Sequence, residues 1–389
     1  MKYWRGYLVA ALVGLFTVAL QQFAKSHTDL VDMVYPYVTR MIQTFLAQWS
    51  SGSAACVWQI AAVVLAVALV ASIVLMIIFR WNLIQWLGWV LAAVSVVWCL
   101  NTGIYGLNYY SGPISADIRM AVTEATPDEL KDATVYYRDL ANSLSAQIQR
   151  SPDGEPVYPS FHELAESAGE GFQRLTYQRY MPIFAGSTLP VKELGWADMY
   201  TSMGITGFTM FLTGEAAVNP QIPAVSMPFT MCHEMAHRMC IAIESDANFA
   251  AFLACQAHSA PEFRYSGYFM AYMYCCNALS SLSPQTAREV MAGQSEYLTR
   301  DLAAYNAFFE ENKDENAEKF ADSVNDFYLK ASGDEAGTES YAQVYELLVS
   351  WYIQEVILPL QVEDDEPAFD PYDESWVFQT ITAPTEANG

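Results

Sequence analysis

The sequence predicts a mainly α-helical protein, with three membrane helices at its N-terminus and a soluble domain that contains a small β-hairpin or sheet. The first observation behind this fold class is charge: residues 1–110 carry five basic and two acidic side chains, whereas residues 111–389 carry 14 and 41. The second is that the long uncharged runs occur only in the first part. The third is the helical spacing of apolar residues through most of the second part, which one Gly-rich segment interrupts.

The composition excludes two classes of protein. Hydrophobic residues make up 53% of the 389 residues and charged residues 16%, which is too apolar for a disordered chain. The net charge of −24 is the opposite of the basic surface that nucleic-acid binding requires, so we expect no nucleic-acid partner.

Three apolar runs are long enough to cross a lipid bilayer. Residues 57–79 and 84–107 contain no charged side chain, and residues 6–23 follow Lys2 and Arg5. A helix of about 20 such residues spans the hydrocarbon core of ~30 Å. The first run also has the basic start of a signal peptide, but no small-x-small cleavage site follows it. We therefore predict three membrane helices, the first of them uncleaved.

The basic residues of this region favour one orientation. Lys2, Arg5 and Arg80 would share the cytoplasmic side, which leaves Lys25, Arg40 and the acidic domain outside. No basic cluster follows the third run. We therefore expect a multi-pass membrane protein whose soluble domain is extracytoplasmic.

The segment between the first two runs, residues 25–54, carries apolar side chains at helical spacing. We predict an amphipathic helix that lies on the membrane or against the soluble domain. Packing in an ordinary helical hairpin is the alternative interpretation.

The seven cysteines form no zinc-knuckle spacing. The five in the soluble part are an odd number embedded in apolar helical sequence. Buried free thiols are therefore favoured over a disulfide framework, even in an extracytoplasmic domain.

The first half of the soluble domain, predicted over residues 111–361, begins with helices. Pro127 behind Thr126 is typical of a helix start, and we expect helices over 127–150 and 161–180. Residues 204–219 combine β-branched, aromatic and glycine residues, which predicts a short hairpin or a pair of edge strands.

The rest of the chain is predicted to be helical up to an acidic tail. Several helices are expected over 262–360, with breaks around 283–284 and 332–337. Residues 362–389 contain eight acidic and no basic side chains, and this predicts an extended or disordered tail.

The strongest functional motif is H-E-x-x-H, formed by His233, Glu234 and His237. Positions i and i+4 of an α-helix face the same way, so both imidazoles can reach one Zn²⁺ ion at about 2.0–2.1 Å. Glu234 lies between them, where it can take a proton from an attacking water. Two histidines and a glutamate in an otherwise apolar helix would be expensive to bury without such a role.

A third ligand is required, and the sequence leaves more than one choice. Glu244 lies seven residues after His237, about 10 Å along a continuous helix, so the chain must turn between 238 and 243 and start a new helix at 243–245. Asp246 is the rival ligand, and a distant residue such as His258 or Glu215 is the remaining alternative.

The segment from Glu244 to Asn248 has the pattern E-x-x-A-[DN], which resembles the third-ligand helix of gluzincin-like metallopeptidases. The resemblance implies that Glu244 binds zinc and that Asn248 supports a ligand histidine from one turn further along.

With these residues in view, the whole chain resembles an uncharacterised family of bacterial multi-pass membrane proteins, domain-of-unknown-function family 3810. The matching segments cover most of the chain except the tail: 106–110, 204–207, 215–219, 228–229, 233–237, 244–249 and 263–268. This family usually has glycine where this chain has Cys240. The resemblance implies a zincin-like domain in the bacterial cell membrane but no substrate.

Two further features each have a functional and a structural interpretation. Residues 204–212 could hold an extended substrate by β-pairing or form an ordinary structural hairpin. Arg264, Tyr265 and Tyr268 could donate to an oxyanion, although aromatic residues at this spacing more often pack in a core. His162 and His258 have no motif around them.

The sequence thus predicts a membrane-anchored zinc metallopeptidase that acts on peptides or proteins, with Glu234 as the general base. The alternative is a non-enzymatic membrane sensor or assembly protein that retains a zincin-like fold. Glu234 favours the enzyme, because a purely structural zinc site has no use for a carboxylate at that position.

Overall fold

The computed structural model describes residues 4–178, 181–334 and 343–359. The predicted acidic tail lies outside these residues. The described helices are, in chain order, α1 (Arg5–Ser26), α2 (Thr28–Ser50), α3 (Val57–Ile78), α4 (Leu83–Ile104), α5 (Ile114–Asp117), α6 (Pro127–Ser145), α7 (Phe161–Ser167), α8 (Glu170–Gln178), α9 (Ala197–Ser202), α10 (Met227–Arg238), α11 (Glu244–Ala257), α12 (Pro261–Leu282), α13 (Pro284–Met291), α14 (Glu296–Asn312), α15 (Glu315–Ser332) and α16 (Val344–Tyr352). Short 3-10 turns at Gly106–Tyr110 and Pro182–Phe184 and a π-helical turn at Ile353–Ile357 complete this set.

Three helices, α1, α3 and α4, are long and apolar enough to cross a membrane. Each has 22 residues, which corresponds to about 33 Å of helix. They fall on the three runs that the sequence predicts, and their ends differ from the predicted ends by at most three residues.

Helices α1 and α4 pack closely and run parallel. Gly6 and Gly88 meet near the start of each helix, where a Cβ on Gly6 would lie 2.6 Å from the backbone nitrogen of Trp89. Such close approach between small residues is typical of helix pairs in membranes. At the other ends, Gln21 donates to the carbonyl of Ala331, and Asn101 donates to the hydroxyl of Tyr328, so both helices finish beside α15.

The amphipathic helix predicted within residues 25–54 is present as α2, and it packs against the soluble domain. The inner face of α2 is mostly polar: Arg40 donates to the carbonyls of Met239 and Pro182. Gln43 donates to the carbonyl of Phe211 at 2.9 Å. The outer face carries the large apolar side chains.

Within the described residues, the sheet has three short strands, β1 (Lys192–Glu193), β2 (Gly207–Met210) and β3 (Glu215–Val218), in the order β1-β3-β2. The predicted hairpin is β2 paired antiparallel with β3, and Phe208 lies opposite Ala217. The parallel strand β1 has only two residues, too few for a recognisable sequence pattern. Strand β3 is fully buried, and β2 is an edge strand beside α10.

Two predicted helices of the soluble domain have different bounds in the structure. The helix expected over 127–150 ends at Ser145, and the one expected over 161–180 is divided into α7 and α8. Both α6 and α7 begin with a reciprocal capping box, Thr126 with Glu129 and Ser160 with Glu163, which fixes their first residues.

The main core lies where α6, α10 and α16 pack around the helix pair α11 and α12. All seven cysteines are free, and six are buried, in agreement with the expectation of buried thiols. Six residues after α4, 105–110, pack into the soluble domain together with α2, so the soluble domain rests directly on the membrane helices.

Candidate metal centre

Helix α10 places the H-E-x-x-H motif inside the soluble domain. It begins after Ser226 with Pro228 in its first turn, and nearly every one of its residues is buried. The apolar positions pack against α11 and β3. The helix therefore holds His233, Glu234 and His237 in a closed environment.

The chain turns sharply after α10 and brings Glu244 back to the motif. The N–H of Cys240 donates to the carbonyl of His237, and the N–H of Ile241 donates to the carbonyl of Ala236. These two bonds form a Schellman motif, with Cys240 in the left-handed region at φ 70°. Helix α11 then starts at Glu244, within the range of residues that the sequence predicts.

Three side chains meet at this turn, His233, His237 and Glu244, and we call them the His–Glu cluster. The two histidine Nε2 atoms are 3.1 Å apart. The Oε2 atom of Glu244 lies 3.3 Å from each of them. All three side chains are largely buried, with exposed fractions of 13%, 9% and 8%.

The spacing of these three atoms is one that could hold a metal ion. Tetrahedral ligands about 2.0–2.1 Å from Zn²⁺ are about 3.3–3.4 Å apart, close to the three observed distances. Among the described residues, Glu244 Oε2 has no hydrogen-bond partner although it is buried. A cation between the three atoms would satisfy it.

The orientation of the His237 ring is fixed by a hydrogen bond on the side that faces away from the cluster. Its Nδ1 lies 2.9 Å from the carbonyl oxygen of Ile241, and because a carbonyl can only accept, the ring proton of the neutral imidazole lies on Nδ1. Its Nε2 then directs a lone pair into the cluster, as a metal ligand requires.

The electrostatics of the cluster favour a positive charge at its centre. Burial lowers the pKa of His237, but the Glu244 carboxylate outweighs this and raises it to about 9. Burial opposes ionisation of Glu244 as well, yet His237 and His233 hold its pKa well below the usual range. Glu244 also opens α11, where the helix dipole stabilises a carboxylate.

Glu234 stands beside the cluster and is held by strand β2. Its Oε2 accepts a hydrogen bond of 2.7 Å from the hydroxyl of Thr209. Gly207 on the same strand faces the carboxylate so closely that a Cβ there would lie 2.7 Å from Glu234 Cγ. Burial raises the pKa of Glu234, and the Glu244 charge raises it further, while His233, His237 and Thr209 oppose the shift.

Asp246, the rival ligand, is placed elsewhere and is not part of the His–Glu cluster. Its carboxylate accepts from the backbone N–H of Ile114 at 3.0 Å. The reason is helical geometry: two residues along α11 from Glu244, its side chain points about 160° away, because successive residues are rotated by about 100°.

Asn248 contacts Tyr274, whose hydroxyl lies 3.3 Å from its Oδ1. The described residues provide no hydrogen-bond partner for its buried Nδ2 or for the buried Nδ1 of His233. Support of a ligand histidine by Asn248 therefore remains a prediction.

The predicted oxyanion donors are not gathered at the cluster. The hydroxyl of Tyr265 donates to Asp301 at 2.6 Å, and Asp301 forms a buried ion pair with Arg150. Tyr268 packs against aromatic residues of the core. Arg264, on the same helix α12, is half-buried.

The distant ligand alternatives have structural partners of their own. His258 stacks on Phe263 and lies 3.0 Å from the carbonyl of Ser167. Glu215 accepts the backbone N–H groups of Val57 and Trp58 at the start of α3, and it pairs with Lys192. His162 lies on the surface, where it pairs with Glu166.

Sequence reasoning identified the segment around β2 but missed what Thr209 and Gly207 do. Both residues touch Glu234 across 25 or more positions of sequence. A single sequence carries no signal for this contact, since threonine and glycine are ordinary residues in a short hairpin.

Comparison with known families places the chain in one of them. The model of the family described as a protein of unknown function, DUF3810, matches residues 31–349. The chain belongs to this family. The DUF3810 match begins within α2, includes α3, α4 and the His–Glu cluster, and ends within α16. It confirms the resemblance to this family. No curated protein and no solved structure matched the chain significantly.

Proposed function

We propose that this DUF3810 protein is a membrane-anchored, zinc-dependent metallopeptidase that hydrolyses peptide bonds outside the cytoplasm of a bacterial cell. The observation that carries the proposal is the triangle of His233 Nε2, His237 Nε2 and Glu244 Oε2, with sides of 3.1, 3.3 and 3.3 Å. These three atoms correspond to three corners of a tetrahedron around a zinc ion, which leaves the fourth corner for a reactant.

The residues of this chain divide the chemistry between them. His233, His237 and Glu244 would hold Zn²⁺, and the bound ion supplies a Lewis acid that polarises a carbonyl and lowers the pKa of an attacking water. Glu234 accepts the proton of that water as its oxygen bonds to the peptide carbon. It then delivers the proton to the leaving amine as the C–N bond breaks.

The setting of Glu234 suits a general base. Burial raises its pKa, which brings the carboxylate closer to the range where it both accepts and releases a proton. The hydrogen bond from Thr209 fixes one oxygen and leaves the other for the reactant. A structural zinc site would need none of this arrangement.

The packing of the membrane helices supports the proposed orientation. Because Gly6 of α1 meets Gly88 of α4, Arg5 and Arg80 lie at the same end of the helical region. These basic residues favour the cytoplasmic side. The soluble domain follows the opposite ends, so it would be extracytoplasmic.

Metal content of the purified full-length protein tests the site. We expect about one zinc per chain, and a clear loss in Glu244→Ala. Glu170→Ala is the matched control, because it removes a carboxylate 3.6 Å from another buried histidine, His258, and should retain the metal. Zinc retained by Glu244→Ala would contradict the proposed ligand set.

Turnover tests the reaction separately. A degenerate peptide library should be cleaved by the wild-type protein and not by Glu234→Gln, which should still bind zinc. If the zinc-loaded wild-type protein cleaves no more than Glu234→Gln, the peptidase is wrong. The result would then favour the non-enzymatic sensor or assembly protein with the same fold.

A further inference from the structure

Helix α2 has an arrangement opposite to that of an ordinary surface helix. The side that packs on the soluble domain is mainly polar, with Thr39, Arg40, Gln43 and Ser50 all buried. The other side presents eight large apolar side chains, each 45–74% exposed: Leu30, Met33, Val34, Tyr37, Val38, Met41, Phe45 and Trp49. Their spacing forms one stripe along the whole helix, and no charged residue interrupts it.

The two ends of α2 fix its position relative to the membrane helices. Only His27 separates it from the end of α1, and residues 51–56 join it to the start of α3. Because α1 ends and α3 begins on the side of the soluble domain, both ends of α2 lie at that surface of the bilayer. The helix, about 34 Å long, therefore runs along this surface.

The polar face of α2 reaches the parts of the candidate active site. Arg40 donates at 3.1 Å to the carbonyl of Met239, two residues after the zinc-ligand candidate His237. Gln43 donates to the carbonyl of Phe211, directly after the edge strand β2. A Cβ on Gly214, in the β2–β3 turn, would lie 2.5 Å from the backbone nitrogen of Ala47. One helix diameter, about 10–12 Å, therefore separates the site from the surface under α2.

Strand β2 is also adjacent to a membrane helix. Phe208, on β2, packs against the ring of Trp58 in the first turn of α3, with centroids 5.2 Å apart. Glu215, opposite Met210 in the β2–β3 pair, caps the same turn of α3. A polypeptide that pairs with the free edge of β2 must therefore pass close to the bilayer surface.

We propose that α2 lies in the membrane interface and that the site acts on the segment next to the anchor of membrane-anchored polypeptides. This substrate class rests on the peptidase proposed above. An extended chain advances about 3.3 Å per residue, so three or four residues cover the height of α2. Scissile bonds should fall within about ten residues of the anchor.

The position of α2 can be measured without any enzyme activity. Full-length protein in liposomes would carry a nitroxide label at Met41→Cys or Phe45→Cys. Wild-type protein treated with the same reagent gives the background signal from its native thiols. The control is Tyr177→Cys, since Tyr177 is 76% exposed on the soluble domain. We expect the ratio of oxygen to nickel-complex accessibility to be several-fold higher on α2 than at position 177. Equal ratios would overturn the membrane placement.

The substrate class is tested with a degenerate decapeptide library in three forms. One form carries an N-terminal palmitoyl chain, one carries the same chain followed by a spacer of about thirty Gly and Ser residues, and one has no lipid. The two lipidated forms are equally concentrated at the liposome surface, so they differ only in the distance of the scissile segment. We expect several-fold faster cleavage of the short form, and none by Glu234→Gln.

The outcomes separate the two proposals. Equal rates on the short and long lipidated forms, with dependence on Glu234, would overturn the substrate class and leave the peptidase standing. Cleavage of no form above the Glu234→Gln level would overturn the peptidase and the substrate class with it. The label measurement would then still decide whether α2 lies in the membrane.

Discussion

We predict that the side chain of Glu234 leaves room only for glycine at position 207. The variant Gly207→Ala tests this prediction. A Cβ at this position would overlap Glu234 Oε1 and lie 2.7 Å from Cγ and 2.8 Å from Cδ. The backbone itself accepts alanine, because Gly207 is not among the residues with positive φ. The contact with Glu234 is thus the specific obstacle. The carboxylate must move by about 1 Å to restore ordinary contacts, enough to lower a rate by about 100-fold.

The energetic cost of the contact between a Cβ at position 207 and Glu234 can be measured in a double-mutant cycle. Overpacking of a buried site costs typically about 1–3 kcal/mol, while the general effect of replacing glycine in a strand is roughly 0.5–1 kcal/mol in the other direction. The second effect is the same with or without Glu234. Gly207→Ala should therefore destabilise the wild-type protein by about 1–3 kcal/mol more than it destabilises Glu234→Ala.

The assay is chemical unfolding of the four full-length proteins in the same detergent, with zinc content and peptide cleavage measured alongside. Gly207→Ala should retain zinc, because the three atoms nearest to a Cβ at this position all belong to Glu234 and not to the His–Glu cluster, and it should lose cleavage. Gly52→Ala is the control, since a Cβ there would meet only one atom, at 4.0 Å. Equal destabilisation in both backgrounds would show that β2 does not confine Glu234.

Two more predictions concern the turn and the helix that present Glu244. Burial raises the pKa of Asp246 to about 6 from the usual 3.8, so its contribution to stability is complete below pH 4 and is lost as the pH rises through 6. The side chain of Asp246→Asn cannot ionise but can still accept from Ile114. The difference in unfolding free energy, variant minus wild type, should therefore increase by up to about 3 kcal/mol between pH 4 and 7. A difference that stays constant with pH would contradict the raised pKa. At Cys240, whose φ is 70°, glycine and alanine both remove the thiol and only alanine keeps a Cβ. The unfolding free energy of Cys240→Gly should therefore be about 1 kcal/mol higher than that of Cys240→Ala. Equal stabilities would refute backbone strain at this turn.

The sequence was most informative where a local cause determines structure. The membrane helices follow from uncharged runs of about 20 residues, and the starts of α6 and α7 follow from the capping boxes at Thr126 and Ser160. The turn between His237 and Glu244 could be predicted as well. If both residues bind one ion, the chain between them must reverse, and α11 indeed begins at Glu244.

The sequence was least informative about contacts between distant segments. Tyr265 looked like a possible oxyanion donor, yet its hydroxyl bonds to Asp301, 36 residues away, which pairs with Arg150. Glu215 looked like a possible ligand, yet it caps a helix that lies about 160 residues earlier in the chain. Such partners depend on how the helices pack, and the residue types alone do not specify them.

The stability of the outer face of α2 depends on the medium that surrounds it. Fully burying one large apolar side chain is worth about 1.5–3 kcal/mol. The eight side chains of the stripe are about half exposed, so leaving them in water would forgo roughly 6–12 kcal/mol. That is comparable with the whole unfolding free energy of a typical domain, about 5–15 kcal/mol. The periodicity of residues 25–54 indicates a helix with two faces, but it does not indicate which face the soluble domain covers. Once Arg40 and Gln43 are seen to bind that domain, an apolar medium such as lipid is the solvent that stabilises the other face.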